Sequence, residues 1–282
     1  LGIIFAFVSM VFAGLNDLLF KEFTRRYDGL VGTFLSGVGL TSAIVFGFLM
    51  FSTSGHATGT GWYISVGAGI ASILANILFV SSYRALPAGT GATIYRLNLV
   101  VVALLGIFLL GEPVTMWKVA GLILGAVAVL ILGMAESRRA TAKAAMSSVA
   151  VLVVACLLRA VMGILYKVAT NNDVPYYELL FINGVSWAVG GWIWAKASRE
   201  RTRFDLTLSA FSLCSGLLVC GITYFMLAAT ALADASIVIP ITQMSFVVTC
   251  ILGAVRFNEP FTAPKILAIA AAVGSVVCLS LS

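Results

Sequence analysis

Residues 85–113 read ALPAGTGATIYRLNLVVVALLGIFLLGEP, and residues 231–260 read ALADASIVIPITQMSFVVTCILGAVRFNEP. Both stretches open on Ala-Leu, run through an apolar segment long enough to cross a bilayer, and close on Glu-Pro. The offset is 146 residues at the start and 147 at the end, so one single-residue gap aligns them. A repeat of about half the chain, inside apolar sequence, marks a duplicated membrane architecture.

The match extends outward from these segments. A shift of 146 lays Phe20-Lys21 on Tyr166-Lys167, and a shift of 147 lays Gly121 and Gly125 on Ala268 and Ala272. The last two pairs are small-xxx-small spacings, which let helix backbones approach closely in lipid, so the fifth and tenth helices are expected to pack together. Composition agrees with a membrane setting. The 282 residues are 61% hydrophobic and 10% charged, against about 25% charged for a soluble protein, so polar surface is too scarce to cover a water-facing globule.

A membrane-spanning helix needs about 20 apolar residues. Ten stretches qualify: about 1–20, 30–51, 62–83, 91–110, 115–134, 147–168, 176–195, 207–231, 235–254 and 264–281. Only 135–146, AESRRATAKAAM, reads as a linker. The expected fold is therefore all-α and membrane-integral, with a first five-helix repeat over 1–134, the linker, and a second over 147–282. Five crossings leave the chain on the opposite side, so the second repeat must enter inverted, with a site near the midplane. Leu1 opens directly into an apolar segment with no charged leader, and no signal peptide is expected.

Lys and Arg give an orientation. The loops after the odd-numbered helices carry Lys21, Arg25, Arg26, Arg84, Arg138, Arg139, Lys143, Lys196, Arg199, Arg201, Arg203, Arg256 and Lys265, thirteen in all. The other loops carry two, Lys118 and Lys167. The positive-inside rule puts the thirteen in the cytoplasm and both termini outside. The net charge of +6 is spread over helix ends, which argues against a nucleic-acid partner.

Charged residues within spans cost about 2.5–3.5 kcal/mol at a helix centre on insertion scales, so each needs a reason. Arg159 lies about twelve residues into the sixth helix and matches Ala13 in the first repeat. It is expected to face a cavity and hold a carboxylate or phosphate through its planar fork; the alternative is a structural pair with a buried acid. Arg96 matches Gln243, and two polar residues at one repeat position suggest a cavity wall, unless Arg96 snorkels to the interface. Asn98 and Ser245, two residues on, are expected to face elsewhere. Asp17 precedes Lys21 by one turn, and an i,i+4 ion pair is the default expectation; the sharper one is a partnership with an intramembrane Arg or a coupling proton.

Asn76, Tyr95, Asn183 and Trp187 complete the candidate substrate-binding set. Asn183 and Trp187 lie one turn apart, as suits a flat solute that stacks and accepts a hydrogen bond. Glu178, Asp234 and both Glu-Pro pairs fall at helix starts or junctions, where the helix dipole explains an acid. The five cysteines sit in apolar runs and read as core filler. His56, the only histidine, lies in a loop, so no metal or cofactor is expected. There is no GxSxG, HExxH or Walker motif, and no enzyme activity is expected.

The Ala-Leu-x-Ala-Gly/Ala-Thr/Ser run at 85–90 with its poorer copy at 231–236, the Gly-Glu-Pro at 111–113, the Asn-Glu-Pro at 258–260 and the Gly-containing last helix of each half resemble the drug/metabolite transporter superfamily, in particular its ten-helix proteins with two EamA-type repeats. The resemblance implies a central cavity lined by the first four helices of each half, braced by the fifth. Without an ATP motif, transport is expected to be driven by gradients, and the expected location is a bacterial inner membrane. Such proteins usually carry cytoplasmic termini, opposite to the charge count here. The two intramembrane Arg residues favour an amino acid or organic anion as the solute. Alternatives are an exporter of neutral or cationic compounds with both Arg residues paired internally, and a lipid-handling or accessory membrane protein without solute flux. One chain already supplies a whole cavity, which suits a monomer among membrane lipids.

Overall fold

The computed structural model describes residues 1–27, 29–52, 60–98, 114–137, 142–201, 205–232, 241–258 and 262–281, together with positions 100, 101, 104, 108, 238 and 260. These residues form ten helices: α1 (Gly2–Arg26), α2 (Val31–Phe51), α3 (Thr60–Ser82), α4 (Ala88–Arg96), α5 (Met116–Ser137), α6 (Ala142–Asn171), α7 (Tyr176–Ala197), α8 (Leu206–Leu232), α9 (Ser245–Phe257) and α10 (Ala263–Ser280). Among the described residues there is no strand. Five of the helices have a segment long and apolar enough to cross a membrane, namely α1, α2, α3, α6 and α8. Their outward faces are apolar too: Leu40, Ile44 and Phe48 make a stripe along α2 that is 57%, 65% and 75% exposed, a surface suited to lipid rather than water. Helices α5 and α6 run into both ends of the expected 135–146 linker, and 138–141 lie outside the described residues, as do His56, Asp234 and the Glu of both Glu-Pro pairs.

The bundle is organised by a two-fold exchange of its halves. Helix α2 packs on α7 and α5 on α10, each helix on its own repeat mate, and α4, the first part of the fourth span, packs on α9, the later part of the ninth. The next main contacts come in exchanged pairs: α1 on α8 with α6 on α3, and α2 on α8 with α7 on α3.

Glycines let α2 and α7 cross with their backbones touching. A Cβ built on Gly32 would lie 2.6 Å from the Gly191 carbonyl and the Ala195 nitrogen, and one on Gly191 would lie 2.6 Å from the Ser36 nitrogen. One on Gly184 would lie 2.7 Å from the Ala43 nitrogen, and one on Gly39 would run into the Ala188 nitrogen. As the position rises along α2 through 32, 36, 39 and 43, its partner falls along α7 through 195, 191, 188 and 184. The two repeat mates therefore run antiparallel. The expected packing of the fifth and tenth helices is also present: Ser275 Oγ donates to the Gly121 carbonyl at 2.7 Å, and Ala268 and Ala272 are buried.

The fourth helix of each half departs from the expected continuous span. Helix α4 ends at Arg96, where the Leu97 N–H turns back to the Ile94 carbonyl at 3.2 Å and the Val100 N–H to that of Leu97 at 3.0 Å. The second half repeats this tightening 147 residues on, with Met244 N–H to Ile241 and Val247 N–H to Met244. These i→i+3 turns replace α-helical bonds at matched places; Pro240 directly precedes the second, while no Gly or Pro adjoins the first.

One end of the bundle gathers several of the basic loops. Glu22 bonds Arg26 at 2.8 Å and reaches Arg256 at 3.6 Å. Glu200 accepts from the Gly32 and Thr33 N–H groups at 2.8 and 2.9 Å, capping α2 from the loop after α7. Asp205 caps α8 through the Thr207 N–H at 2.9 Å and accepts from the Tyr27 hydroxyl at 2.6 Å. The Tyr27 bond, then the backbone bonds, hold the Asp205 carboxyl below its ordinary range.

Gly39→Ala should destabilise the protein by about 1–3 kcal/mol because its methyl meets backbone that cannot move aside. Gly67→Ala should be neutral or mildly stabilising, since its nearest neighbour is 3.7 Å away; thermal unfolding in detergent compares the two. A carboxylate whose folded pKa is depressed stabilises the fold above its unfolded pKa, near 3.9, and loses that contribution as pH falls through the folded value. Tyr27→Phe should therefore be less stable than the native chain at neutral pH, with the gap closing below about pH 4; an acid unfolding series checks this.

Candidate functional site

A cavity of about 550 Å³ lies at the centre of the bundle, walled by α1–α4, α6–α8 and the segment leading into α9. This volume suits a small solute. Helices α5 and α10 stand outside it. All eight sequence-derived candidates line it: Asp17 from α1, Asn76 from α3, Tyr95 and Arg96 from α4, Arg159 from α6, Asn183 and Trp187 from α7, and Gln243 ahead of α9.

The charged pole is built from α1, α4, α6 and α9. Asp17 is 2% exposed, so its charge needs a partner. Its Oδ2 takes the Arg96 guanidinium at 3.2 Å and the Thr249 hydroxyl at 3.3 Å. The expected i,i+4 pair with Lys21 gives way to this contact across the bundle. Lys21 instead donates to the carbonyls of Tyr83 and Leu86, at the end of α3 and just beyond. The pairing also settles how Arg96 is accommodated: it turns inward to Asp17 rather than snorkelling. The Arg96 Nε is buried and makes no hydrogen bond among the described residues.

Arg159 differs. Among the described residues it forms no ion pair. Its guanidinium contacts the Met162 sulfur at 3.5 Å and stands 5.8 Å from the centre of the Tyr95 ring, a cation–π approach. The Tyr95 ring is itself fixed by stacking on Phe79, with centroids 3.9 Å apart and planes 7° from parallel. The Tyr95 hydroxyl and the Asn183 Oδ1 are buried without hydrogen bonds among the described residues. Buried polar atoms of this kind are rare in native folds and mark a place for a ligand or water.

Trp187 lines the cavity and is also anchored by its polar edge. Its indole N–H donates to Ser72 Oγ at 2.8 Å, tying α7 to α3. Asn76 donates to the Ser72 carbonyl on its own helix at 2.8 Å. Asn98 also corrects its expectation. It lines the same cavity as Arg96. Ser245, its mate, is wholly buried. Sequence reasoning passed over Asn16, held by the Ser215 hydroxyl at 2.7 Å, and Thr249, whose hydroxyl completes the Asp17 site. No spacing rule connects residues that far apart.

Towards the basic end, Phe20, Phe34 and Phe79 close the floor, with Phe20 edge-on to Phe34 at 5.6 Å and to Phe79 at 6.1 Å. All three are 2% exposed or less. In the other direction the walls reach Tyr166, Tyr176, Thr223 and Met226. Among the described residues no three His, Cys, Asp or Glu side chains gather around a common point.

An apolar-faced helical bundle around a buried, charged, solute-sized cavity defines an integral membrane protein that handles small molecules. The sequence matches the EamA-like transporter family over residues 1–134 and 146–281, and the chain belongs to that family. Its members are membrane transporters of small solutes. A structure described as "Crystal structure of protein" is similar with a TM-score of 0.65 at 16% identity, over 99% of this chain and 96% of its own. At that identity the likeness concerns the fold alone. No curated protein matches the chain.

The Asp17–Arg96 pair yields a prediction. Asp17→Asn leaves a buried, uncompensated guanidinium and should cost about 3–5 kcal/mol. Adding Arg96→Gln should recover much of that loss, and a double-mutant cycle on unfolding in detergent measures the coupling.

Proposed function

We propose that the chain crosses the membrane ten times as two inverted five-helix units and moves a small organic solute carrying one carboxylate or comparable anionic group by alternating access. The observation that carries this reading is the state of the two cavity arginines. Arg96 is neutralised by Asp17 at 3.2 Å, whereas Arg159 makes no ion pair among the described residues. The Asp17, Arg96 and Arg159 side chains together leave one positive charge facing the cavity. A solute with a single anionic group would cancel it and accept its forked donors. The buried Asn183 Oδ1 and Tyr95 hydroxyl offer further hydrogen bonds, so an amino acid or a hydroxylated organic anion fits the set.

Three features support alternating access. The repeat mates α2 and α7 run antiparallel, as inverted units require. The tightened turns at Leu97 and Met244 directly follow Arg96 and Gln243 and give each half a matched place to bend. The aromatic floor closes the end where the basic loops gather, the end the positive-inside rule assigns to the cytoplasm.

An exporter of neutral or cationic solutes is the competing reading, and the internal pairing of Arg96 with Asp17 is the observation in its favour. Thermal shift against anionic, zwitterionic, neutral and cationic metabolites, followed by equilibrium binding, separates the two. Anionic or zwitterionic compounds should stabilise the native protein, and Arg159→Gln should weaken their binding about 30-fold or more while leaving the protein folded. Stabilisation by cations or neutral compounds that survives Arg159→Gln would refute the anion reading. A folded protein that binds none of these classes and gives no flux in liposomes would point to an accessory role.

A further inference from the structure

A second concavity, of about 510 Å³, lies on the outside of the bundle between α3 and α7. Its walls are apolar and open to the surroundings: Ile70, Leu74, Val189 and Ile193 are 51%, 41%, 51% and 54% exposed. Along α7 it runs from Phe181 to Ala197, about 24 Å at 1.5 Å per residue. That exceeds one leaflet of hydrocarbon, about 15 Å, so the trough spans a leaflet and reaches headgroup level.

The ends of the trough are unlike. At the α7 C-terminal end stands Trp194, 38% exposed, a side chain that settles at the membrane interface; Trp62, 49% exposed, lies at the other end, where α3 begins. Beyond Trp194 the chain reads Lys196, Ala197, Ser198, Arg199, Glu200, Arg201. Lys196 falls on the same side of α7 as Val189 and Ile193, one turn further on, and is exposed with its ammonium 5.9 Å from the Trp192 ring. Arg199 adopts φ 52°, a left-handed conformation usually left to glycine at a helix end. It is fixed there by two bonds, from its own N–H to the Lys196 carbonyl at 3.1 Å and from the Glu200 N–H to the Ala195 carbonyl at 2.9 Å. The one acid in the segment is turned inward, since both oxygens of Glu200 bond the start of α2. Three exposed cations are thus presented beside the interfacial end of an acyl-sized trough, with the segment's one carboxylate occupied.

We infer that the α3–α7 trough is a binding site for an anionic diacyl phospholipid, with an acyl chain lying along Val189 and Ile193 and the phosphate held by Lys196 and Arg199. A zwitterionic lipid could fill the apolar part but would leave the cation cluster uncompensated. A helix from a second copy could cover the trough, but it would have no reason to need the cations at one end.

The test uses purified, delipidated protein in a neutral detergent, titrated with dioleoylphosphatidylglycerol or dioleoylphosphatidylcholine while thermal unfolding is followed. The phosphatidylglycerol should raise the apparent Tm more than the phosphatidylcholine. Lys196→Gln/Arg199→Gln should weaken the apparent phosphatidylglycerol affinity about thirty-fold and leave the phosphatidylcholine response unchanged. Val189→Trp, which fills the trough, should reduce the response to both lipids. Arg25→Gln/Arg26→Gln, on a different helix, should keep the preference. Equal responses to the two lipids, a preference that survives Lys196→Gln/Arg199→Gln, or one lost equally in the Arg25/Arg26 variant would each overturn the inference. Should the Lys196/Arg199 variant fail to fold, an undiminished phosphatidylglycerol response in Val189→Trp overturns it alone, and so would a delipidated dimer that Val189→Trp dissociates.

Discussion

The crossing of α2 and α7 is the contact from which the rest of the bundle takes its position. In lipid there is little hydrophobic gain from bringing two helices together, so close association depends on packing and on small residues that let backbones meet. Gly32 and Gly39 on one helix and Gly184 and Gly191 on the other provide this, each seven residues from its fellow. Because the two helices are repeat mates and antiparallel, their contact sets the exchange relation between the halves. It also leaves Ser42 and Phe46 of α2, and Leu180, Asn183 and Trp187 of α7, to form adjacent walls of the central cavity.

Within that frame the cavity is governed by the cost of charge away from water. Asp17, Arg96 and Arg159 would each be expensive alone. The fold pairs two of them and stands the third over an aromatic face. The Tyr95 ring thereby does two things: it stacks on Phe79, which closes the floor, and it faces the Arg159 guanidinium. Disturbing the floor would shift the ring beneath Arg159. Solute charge and closure of the basic end are in this way connected through one side chain.

The repeat, the number of helices, the apolar outer faces and the close packing of α5 on α10 were legible because each rests on period, composition or small-residue spacing. The eight candidate residues converge on one cavity because polarity inside an apolar span already singles out what must be shielded from lipid. What the sequence hid is tertiary. The local rule paired Asp17 with Lys21, but the carboxylate reaches Arg96, 79 positions away, and Lys21 is taken by backbone carbonyls. The break at Leu97 has no Gly or Pro beside it to mark it, and a helical wheel gave no sign that Asn98 would line the cavity with Arg96. Glu200 gave no sign that it would cap α2, because that requires the loop after α7 to lie against the start of its repeat mate.

The central claim is that Arg159 holds the anionic group of a solute in the cavity while Asp17 keeps Arg96. The most direct measurement is a structure of the protein determined with a stabilising monoanionic compound. The expected density places the carboxylate within about 3 Å of the Arg159 guanidinium, with the solute body against Asn183 and Tyr95 and the Asp17–Arg96 contact intact. Solute density away from Arg159, or an Arg159 turned onto a carboxylate of the protein itself while the solute binds elsewhere, would contradict it.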